Sequence, residues 1–291
     1  MNKAIEIKDL VKKYPESFTL GEINLNISSG EIIGLIGENG AGKTTLIKSI
    51  LGILLKNKGE IKIFNKNLDK NEVLIKEDIG VVLDNSFFPE ILCPKDLDKI
   101  MKGIYQNWDS LLYFKYLNEF NLPCNTMIKK LSKGMKKKLE IAAALAHHPK
   151  LLILDEPTSG LDPVVRSEVL EIFLKFIADE EHTILFSTHI TSDLEHIADE
   201  IIFINKGKVI LNKNRDELLD NYGILKCDID KFTNIDKNDY ITYKKNKYDY
   251  EMLVSDKAKI KKKYKDMIID NITLEDLMVL IIKGDKNEGI N

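Results

Sequence analysis

The stretch "GENGAGKTT", residues 37–45, decides the fold of this chain. It fits the pattern G-x-x-x-x-G-K-[ST] in full, between the apolar run "EIIGLIG" and a segment of helical period. Its glycines let backbone N–H groups curl around a polyphosphate, and a helix that starts near Lys43 points its positive end at the phosphates. We expect Lys43 to neutralise phosphate charge and the Thr44 hydroxyl to bind Mg²⁺. The loop alone predicts a nucleoside triphosphate site and leaves a kinase, a GTPase and a transport ATPase open.

Strands and helices alternate around this loop. The segments "AIEIKDL" and "SFTLGEINLNI" alternate apolar and polar residues, which predicts strands before the loop. The runs "LLILDEP" and "TILFST" have the apolar character of buried parallel strands, while residues 85–150 are mostly helical by pattern. This order predicts an α/β fold with a mostly parallel sheet core, N-terminal antiparallel strands and a helical subdomain.

Several local signals predict where elements begin or turn. Asp162 followed by Pro163 is typical of a helix start. Ser192 and Glu195 have the spacing of a capping box, which predicts a helix that they cap together. The segment "EIIFINKGKVI" predicts a hairpin that turns near residues 206–207. For the run of three lysines at 136–138, a solvated helix face is favoured over attraction of phosphate.

The pattern of the sequence changes after about residue 221. The segments that follow suggest three strands and a helix, and "TLEDLMVLIIKG" predicts a final helix capped by Thr273 and ended by Gly284. Lysines and acidic residues nearly balance here, which is typical of a folded unit rather than a basic tail. We therefore predict two domains, residues 1–220 and a small α+β domain of residues 221–291.

The bulk composition excludes several classes of protein. Lysine and arginine total 43 against 46 acidic residues, a net charge of -3, so no nucleic acid partner is expected. The three cysteines are far apart without CxxC spacing, which argues against a disulfide framework or a zinc site. No apolar run approaches the roughly 20 residues of a membrane-spanning helix. We expect a cytoplasmic protein that reaches a membrane only through a partner.

Two acidic residues end the apolar run at 151–157. Asp155 can hold Mg²⁺ through a water molecule, and Glu156 can orient or deprotonate an attacking water. Alone, such a pair is more often an ordinary solvated loop. With the phosphate loop upstream, it predicts the second half of a hydrolytic nucleotide site.

Between these two motifs lies "LSKGM", residues 131–135, which resembles the LSGGQ signature of ABC-type ATPases. The other motifs of that family follow in its order, over roughly residues 3–215. Tyr14 is similar to the aromatic residue that stacks on adenine, and residues 37–45 and "LLILDE" resemble the Walker A loop and the Walker B strand. The segment "SGLD" at 159–162 resembles the D-loop, and His189 the switch histidine that contacts the γ-phosphate.

The resemblance implies a P-loop NTPase of ABC type, an ATPase with ATP and Mg²⁺ as cofactors. It implies a dimer, of two identical chains or of two paralogues, that sandwiches two ATP molecules. Each ATP would meet Ser132, Gly134 and Asp162 of the opposite chain. Lys43, Glu156 and His189 would be catalytic, and Thr44, Asp84 and Asp155 would bind the metal. The remaining contacts to ATP within one chain would come from Tyr14, Gly37, Glu38, Asn39, Gly40, Ala41, Gly42, Lys43, Thr44 and Thr45.

The resemblance also implies integral membrane permease subunits as partners, a place on the inner face of the cell membrane, and export as the direction of transport. Two departures stand out. Lys133 replaces the usual signature glycine, and could face either a phosphate or solvent. Asp84 stands where the family has a glutamine; it keeps an oxygen that suits Mg²⁺ but adds negative charge near Glu156. The next residues, "NSFFPE", are expected to face the permease.

Two rival functions stay open at this point. One is an ABC ATPase that acts on ribosomes or DNA rather than in transport. A single ATP-binding domain and the absence of sustained heptads between Lys43 and Ser132 speak against it. The other is a regulatory domain that binds ATP but hydrolyses it weakly. Glu156 and His189 speak against that function, whereas Asp84 leaves it open.

Overall fold

The computed structural model describes residues 3–15, 18–84 and 88–286. The first third of the chain forms β1 (Lys3–Lys13), β2 (Thr19–Ser28), β3 (Ile32–Ile36), α1 (Lys43–Ile50), β4 (Lys58–Ile63), β5 (Lys66–Asn67), α2 (Leu68–Glu77) and β6 (Ile79–Val82). The middle forms α3 (Pro94–Ile104), α4 (Ser110–Glu119), a 3₁₀ turn (Ile128–Lys130), α5 (Lys133–Leu145), β7 (Leu151–Asp155), α6 (Pro163–Ile177), β8 (Thr183–Thr188), α7 (Thr191–Ile197), β9 (Glu200–Asn205) and β10 (Lys208–Asn214). The last part forms α8 (Arg215–Asn221), β11 (Gly223–Asp228), two 3₁₀ turns (Ile229–Asn234 and Lys237–Asp239), β12 (Thr242–Lys245), β13 (Asp249–Val254), α9 (Lys257–Lys263), β14 (Ile268–Asn271), α10 (Leu274–Lys283) and β15 (Asp285–Lys286).

A six-stranded sheet forms the centre, in the order β10-β9-β3-β8-β7-β6. Strands β9, β3, β8, β7 and β6 are parallel, and β10 pairs antiparallel with β9 at the edge. Strands β3, β7 and β8 are buried along their whole length. The carboxyl ends of parallel strands meet at one edge of a sheet, which is where ligands of open α/β folds bind. The predicted α/β fold is thus confirmed, and the phosphate loop after β3 and the acidic pair at the end of β7 share that edge.

A second, four-stranded sheet covers one side of the central sheet. Its order is β2-β1-β4-β5, and all its pairs are antiparallel, as predicted for the N-terminal strands. Ile5 and Ile61 of this sheet, Ile47 of α1, and Leu35 and Ile153 of the central sheet belong to one buried cluster. Burial of such side chains is the main force that holds the two sheets and α1 together. The phosphate loop therefore starts from a rigid base.

The described residues of the predicted helical subdomain form α3, α4 and α5. Tyr113, Leu117 and Leu139 are fully buried among these helices. Their cluster continues to Leu152 and Phe186 of the central sheet. Among the described residues, no helix is long and apolar enough to cross a membrane.

The C-terminal residues form a five-stranded antiparallel sheet in the order β14-β11-β13-β12-β15. The sequence suggested three strands and one helix before the final helix, so it undercounted the strands. The final helix α10 begins after Thr273, whose hydroxyl accepts a hydrogen bond from the Asp276 amide, and it ends before Gly284 as predicted. Leu277 of α10 and Leu194 of α7 share one buried cluster. The boundary between residues 220 and 221 stays a prediction, since this core is continuous across it.

Two local predictions were wrong. Helix α7 begins at Thr191 with Ile190 at its N-cap, so Ser192 and Glu195 do not form a capping box. Instead, Ser192 Oγ accepts a hydrogen bond from Arg166 at 2.8 Å, and Glu195 Oε1 accepts one from the Leu274 amide at 2.6 Å. Both side chains take partners that are distant in sequence, which compete with the local bonds of a cap.

The second wrong prediction concerns the lysines at 136–138, for which the sequence favoured a solvated helix face. Lys137 is only 4% exposed. Lys136 Nζ lies 2.9 Å from Glu90 Oε1, and Lys138 pairs with Glu168. Helix α5 turns this run toward neighbouring elements, so all three ammonium groups have acidic or carbonyl partners.

Candidate functional site

The phosphate loop joins the end of β3 to the start of α1. Gly40 and Gly42 have φ angles of 82° and 116°, a region that side chains other than glycine rarely adopt. A Cβ on Gly37 would come within 2.3 Å of the Ile204 carbonyl oxygen. Glycine is thus required here by backbone geometry. The loop presents its backbone at the N-terminus of α1, where anions bind favourably.

The side chain of Lys43 folds back under the loop. Its Nζ donates to the Gly37 carbonyl at 2.8 Å and lies 3.8 Å from Glu156 Oε1. Burial lowers the pKa of Lys43, while the carboxylates of Glu156 and Asp155 oppose that shift. The structure therefore places a buried cationic group at the inside of the loop, where phosphate oxygens would need it.

Thr44 and Asp155 meet beside this lysine. The Thr44 hydroxyl donates to Asp155 Oδ2 at 2.9 Å. Asp155 is 2% exposed, and its other oxygen, Oδ1, is buried without a hydrogen-bond partner among the described residues. Burial raises the pKa of Asp155, and the bond from Thr44 works against that rise. Leaving a buried polar atom without a partner costs free energy. Oδ1 is therefore suited to accept a hydrogen bond from a bound water or to coordinate a cation.

These oxygens fit a magnesium ion. Mg²⁺ binds one or two carboxylates, keeps several waters and takes the rest of its ligands from substrate phosphates. The described residues contain no group of three His, Cys, Asp or Glu side chains that could hold a metal by themselves. A hydroxyl and a carboxylate beside the phosphate loop therefore match Mg²⁺ that arrives with a nucleotide better than an independent metal site.

Glu156 follows β7 directly and is held on both of its oxygens. Oε1 faces Lys43, and Oε2 lies 2.8 Å from Nδ1 of His189, which follows β8. The Thr188 hydroxyl also donates to Oε2 at 3.3 Å. Glu156 has a φ of 51°, and a side chain in this left-handed region is strained. Such strain persists where the surroundings impose it, and it is concentrated at functional sites.

A cavity of 440 Å³ opens above these groups. It is lined by Tyr14, Phe18, Glu38, Asn39, Gly40, Gly42, Lys43, Thr44, Thr45, Asp84 and Glu156. Its volume is within the range of small-molecule sites. The structure thus brings Tyr14, the loop and Asp84 together around one space. Gly37 and Ala41 take part through the loop backbone, where the Ala41 amide donates to the Glu38 carbonyl at 3.1 Å.

Asp84 reaches the cavity from the end of β6. It is exposed and lies two residues after the strand ends. The residues that follow it, Asn85 to Phe87, lie outside the described residues, so the predicted permease-facing segment "NSFFPE" is described only from Phe88 onward.

Ser132, Gly134 and Asp162 form a second group, which we call the signature cluster. Ser132 caps α5 and accepts from the Met135 amide at 3.2 Å; Asp162 caps α6 and accepts from the Val164 and Val165 amides. A Cβ on Gly134 would lie 3.3 Å from Val165, so the two helix starts are adjacent. In the described parts of the chain, none of the three lines the cavity.

Lys133, for which phosphate and solvent were the two possibilities, lies over the neighbouring loop. A Cβ on Gly160 would come within 2.3 Å of Lys133 Nζ. Gly160 has a φ of 67°, so glycine is favoured there by its backbone conformation. The ammonium group is therefore placed beside the segment "SGLD", next to the signature cluster.

Sequence reasoning missed several residues around the site. Phe18 lines the cavity, and a Cβ on Gly42 would lie 3.0 Å from its ring. Asp193, which is 1% exposed, accepts a hydrogen bond from Thr158 at 2.7 Å and pairs with Arg166. This network joins the segment after β7 to α7, the helix after His189. No local pattern indicated it, because its members come from three separate elements.

Known proteins resemble this chain in sequence and in fold. A family model described as ABC transporter matches residues 20–159. The bacitracin transport ATP-binding protein BcrA of Bacillus licheniformis is 36% identical over 216 residues, 72% of this chain and 69% of that protein. The lantibiotic transport ATP-binding protein SrtF of Streptococcus pyogenes is 37% identical over 214 residues, 73% of this chain and 91% of that protein.

The fold has close counterparts among solved structures. One of them, an ATP-binding subunit of an ABC transporter, is 29% identical and superposes with a TM-score of 0.68. The match covers 74% of this chain and 91% of that one. More than a quarter of this chain therefore lies outside the match, although the counterpart is covered almost completely.

Proposed function

Because this chain belongs to the family of ABC transporter ATP-binding proteins, we propose that it binds and hydrolyses ATP to power an exporter through closure of an ATPase dimer. The observation that carries this proposal is the double contact of Glu156, which lines the cavity, with Lys43 on one oxygen and His189 on the other. The two rival functions, an ATPase outside transport and a weakly hydrolysing regulator, have no support in relatives that are named as transport proteins.

ATP would occupy the 440 Å³ cavity, with its adenine against Tyr14 and its phosphates on the loop. Thr44 and Asp155 would hold Mg²⁺, the former directly and the latter through a water. Asp84 would approach the same ion with a carboxylate oxygen. When bound, Mg²⁺ would neutralise charge on the phosphates. This assignment is supported by the Thr44–Asp155 bond and by the orphaned Oδ1.

Hydrolysis would depend on three side chains of this chain. Glu156 would orient and polarise the attacking water, since it lines the cavity. Lys43 and His189 would stabilise the charge that develops on the γ-phosphate. The low exposure of Lys43 strengthens such a contact, because a buried charge is screened weakly by water.

The signature cluster would act on the ATP of an opposite subunit, either a second copy or a paralogue. Ser132 and Asp162 are exposed and lie outside the cavity of their own chain, which is the arrangement that a contact in trans requires. The amide groups at the start of α5 would then face the γ-phosphate, as helix N-termini favour anions.

Integral membrane permease subunits would be the other partners, and they would hold the chain on the inner face of the cell membrane. Residues 1–220 would be the ATP-binding domain, and residues 221–291 a C-terminal α+β domain. As cargo we propose a compound related to bacitracin or to a lantibiotic, after the two relatives' names. Expression with the permease in a sensitive host should raise tolerance to such a compound.

The direct test of the proposed function is ATP turnover by the purified chain, with and without its permease. We expect Mg²⁺-dependent hydrolysis by the wild type, and loss of hydrolysis with retained ATP binding in Glu156→Gln. Equal inactivity of the two proteins under both conditions would refute the catalytic assignment. Normal turnover by Glu156→Gln would refute the role of this carboxylate.

A further inference from the structure

We propose that Lys137 is a positioning residue, which fixes the segment carrying Asp84 to the helix of the signature cluster. Lys137 Nζ donates to the Leu83 carbonyl at 2.8 Å. Leu83 immediately precedes Asp84, which lines the nucleotide cavity. The proposal rests on the proposed function, because it assigns Lys137 a part in the same reaction.

The Leu83 carbonyl lies just beyond the support of the central sheet. The parallel ladder between β6 and β7 ends with the pair Val82 and Leu154. Beyond it, the chain leaves the sheet toward Asp84 without further strand pairing with β7. A hydrogen bond from an ammonium group is stronger than a neutral one. The bond from Lys137 therefore fixes the backbone at the point where strand support ends.

The ammonium group of Lys137 is in an environment that defines its position. The residue is 4% exposed, and its Nζ also lies 2.9 Å from Oε2 of Glu140, itself 8% exposed. A buried charge needs such partners, because removal from water is otherwise costly. Lys137 thus has two fixed partners, and only one of them belongs to its own helix.

Helix α5 connects this bond to the signature cluster. Ser132 caps α5 and Gly134 lies in its first turn, while Lys137 follows one turn later. A displacement of α5 toward an opposite subunit would therefore carry the Leu83 carbonyl with it and move Asp84 within the cavity. Through Lys137, the position of Asp84 at one ATP depends on the position of Ser132 at the other.

The test uses a pair of variants and a matched control. Lys137→Met alone leaves Glu140 buried without a partner and is expected to fold poorly. The double variant K137M/E140M removes the whole ion pair, and apolar replacement of a buried pair often preserves stability. The control is Lys136→Met, which removes a neighbouring lysine of the same helix but affects only a pair with the exposed Glu90.

The first readout is hydrogen exchange of the backbone at residues 79–84 in the purified chain, without nucleotide. We expect faster exchange there in K137M/E140M and wild-type exchange in Lys136→Met. The second readout is steady-state hydrolysis. We expect kcat at limiting Mg²⁺ to fall about 10- to 100-fold in the double variant, because a displaced Asp84 carboxylate would no longer assist metal binding, and to recover at saturating Mg²⁺. Lys137→Arg keeps a donor for the Leu83 carbonyl. Its exchange at residues 79–84 and its kcat should therefore lie between those of the wild type and those of K137M/E140M.

Wild-type exchange and kcat in a folded K137M/E140M protein would overturn the assignment of Lys137 while the proposed function stood. If the wild type hydrolysed no ATP even with its permease, the proposed function would fail instead. The exchange experiment would then still decide whether Lys137 positions residues 83–84, because it requires no nucleotide.

Discussion

His189 Nδ1 lies 2.8 Å from Glu156 Oε2, across the ends of the paired strands β7 and β8. The contact gives each side chain a fixed neighbour beside the cavity that Glu156 lines. It also means that a change at either residue alters the environment of the other.

We expect His189→Ala to lower kcat for ATP by about 10²- to 10³-fold, the usual cost of losing one donor to a developing negative charge. Binding of ATP should persist, because the loop and Lys43 are untouched. His196→Ala is the matched control, since His196 is exposed and lies on the helix that follows. Equal turnover by His189→Ala and His196→Ala would show that His189 does not contribute to catalysis.

Thr44 and Asp155 allow a separate test of the metal site. Thr44→Val keeps the shape of the side chain but deletes the hydroxyl that donates to Asp155. Bonds to charged groups contribute about 1.5–3 kcal/mol, so affinity for ATP with Mg²⁺ should fall about 10- to 100-fold. Affinity without Mg²⁺ should not change.

A fluorescent ATP analogue titrated with and without Mg²⁺ would measure this difference. Thr44→Ser keeps the hydroxyl and should bind like the wild type in both conditions. Equal losses with and without Mg²⁺ in Thr44→Val would assign the hydroxyl to the loop structure rather than to the metal.

The edge of the sheet that carries the site could be predicted from sequence, because its signals are local. Apolar runs that end in "GENGAGKTT" and in "DEP" specify both the strands and the groups that follow them. Tyr14, Lys43 and Thr44 line one cavity, and Asp155 accepts a hydrogen bond from Thr44 beside it.

The failures concern side chains whose partners are distant in the chain. Lys137 looked like one of three solvated lysines, yet it is buried and donates to a carbonyl 54 residues away. Glu195 fits a local capping box, yet it binds an amide 79 residues away. Local patterns do not indicate which distant group the fold brings next to a side chain. That group nevertheless determines which hydrogen bonds the side chain makes.

Asp84 can be tested for charge and reach separately. Asp84→Asn removes the charge at constant length, and Asp84→Gln adds one methylene. The carboxylate adds negative charge to a cavity that already contains Glu156, so both variants should bind ATP more tightly than the wild type when Mg²⁺ is absent. Both should need more Mg²⁺ for half-maximal hydrolysis, because a neutral amide is a weaker ligand than a carboxylate.

Mg²⁺ titrations of ATPase activity, with and without permease, would measure this requirement. If Asp84→Asn and the wild type needed the same Mg²⁺ concentration and responded equally to permease, Asp84 would have no part in metal binding. A change in Asp84→Gln alone would indicate that reach rather than charge decides.

The buried His147 should make stability depend on pH. It is 1% exposed, stacks on Tyr105, and its Nε2 lies 3.0 Å from the Ile79 carbonyl oxygen. Burial lowers the pKa of His147 below its usual 6.5, and the bond to Ile79 only partly opposes this. Below pH 6.5 the unfolded chain therefore binds a proton that the folded chain resists. The free energy of unfolding should fall as the pH is lowered from 6.5 toward the pKa of His147 in the folded chain. Above pH 6.5, His147 should contribute no such dependence on pH.

His147→Gln keeps a donor for the Ile79 carbonyl but does not titrate. Urea unfolding at a series of pH values should show a shallower loss of stability on acidification in this variant than in the wild type. Parallel curves for the two proteins would show that His147 does not cause the acid sensitivity. His196→Gln is the control, since His196 is exposed and lies on the distant helix α7.

Leu277 tests whether the C-terminal sheet is energetically separate from the rest of the chain. It is fully buried and shares its cluster with Leu194 of α7. Leu277→Ala should lower the free energy of unfolding by about 2–5 kcal/mol, as for other buried leucines. The control is Ile268→Ala in the C-terminal sheet, because Ile268 is an apolar residue that is 66% exposed. This variant should change the free energy of unfolding by about 0.5 kcal/mol or less.

Two probes can follow the unfolding of the two parts of the chain. The sole tryptophan, Trp108, lies beside α4 and reports on the ATP-binding part, whereas circular dichroism reports on the whole chain. Because the core is continuous, we expect Leu277→Ala to shift both transitions together. An unchanged Trp108 transition beside an earlier loss of circular dichroism would instead show that residues 221–291 unfold on their own.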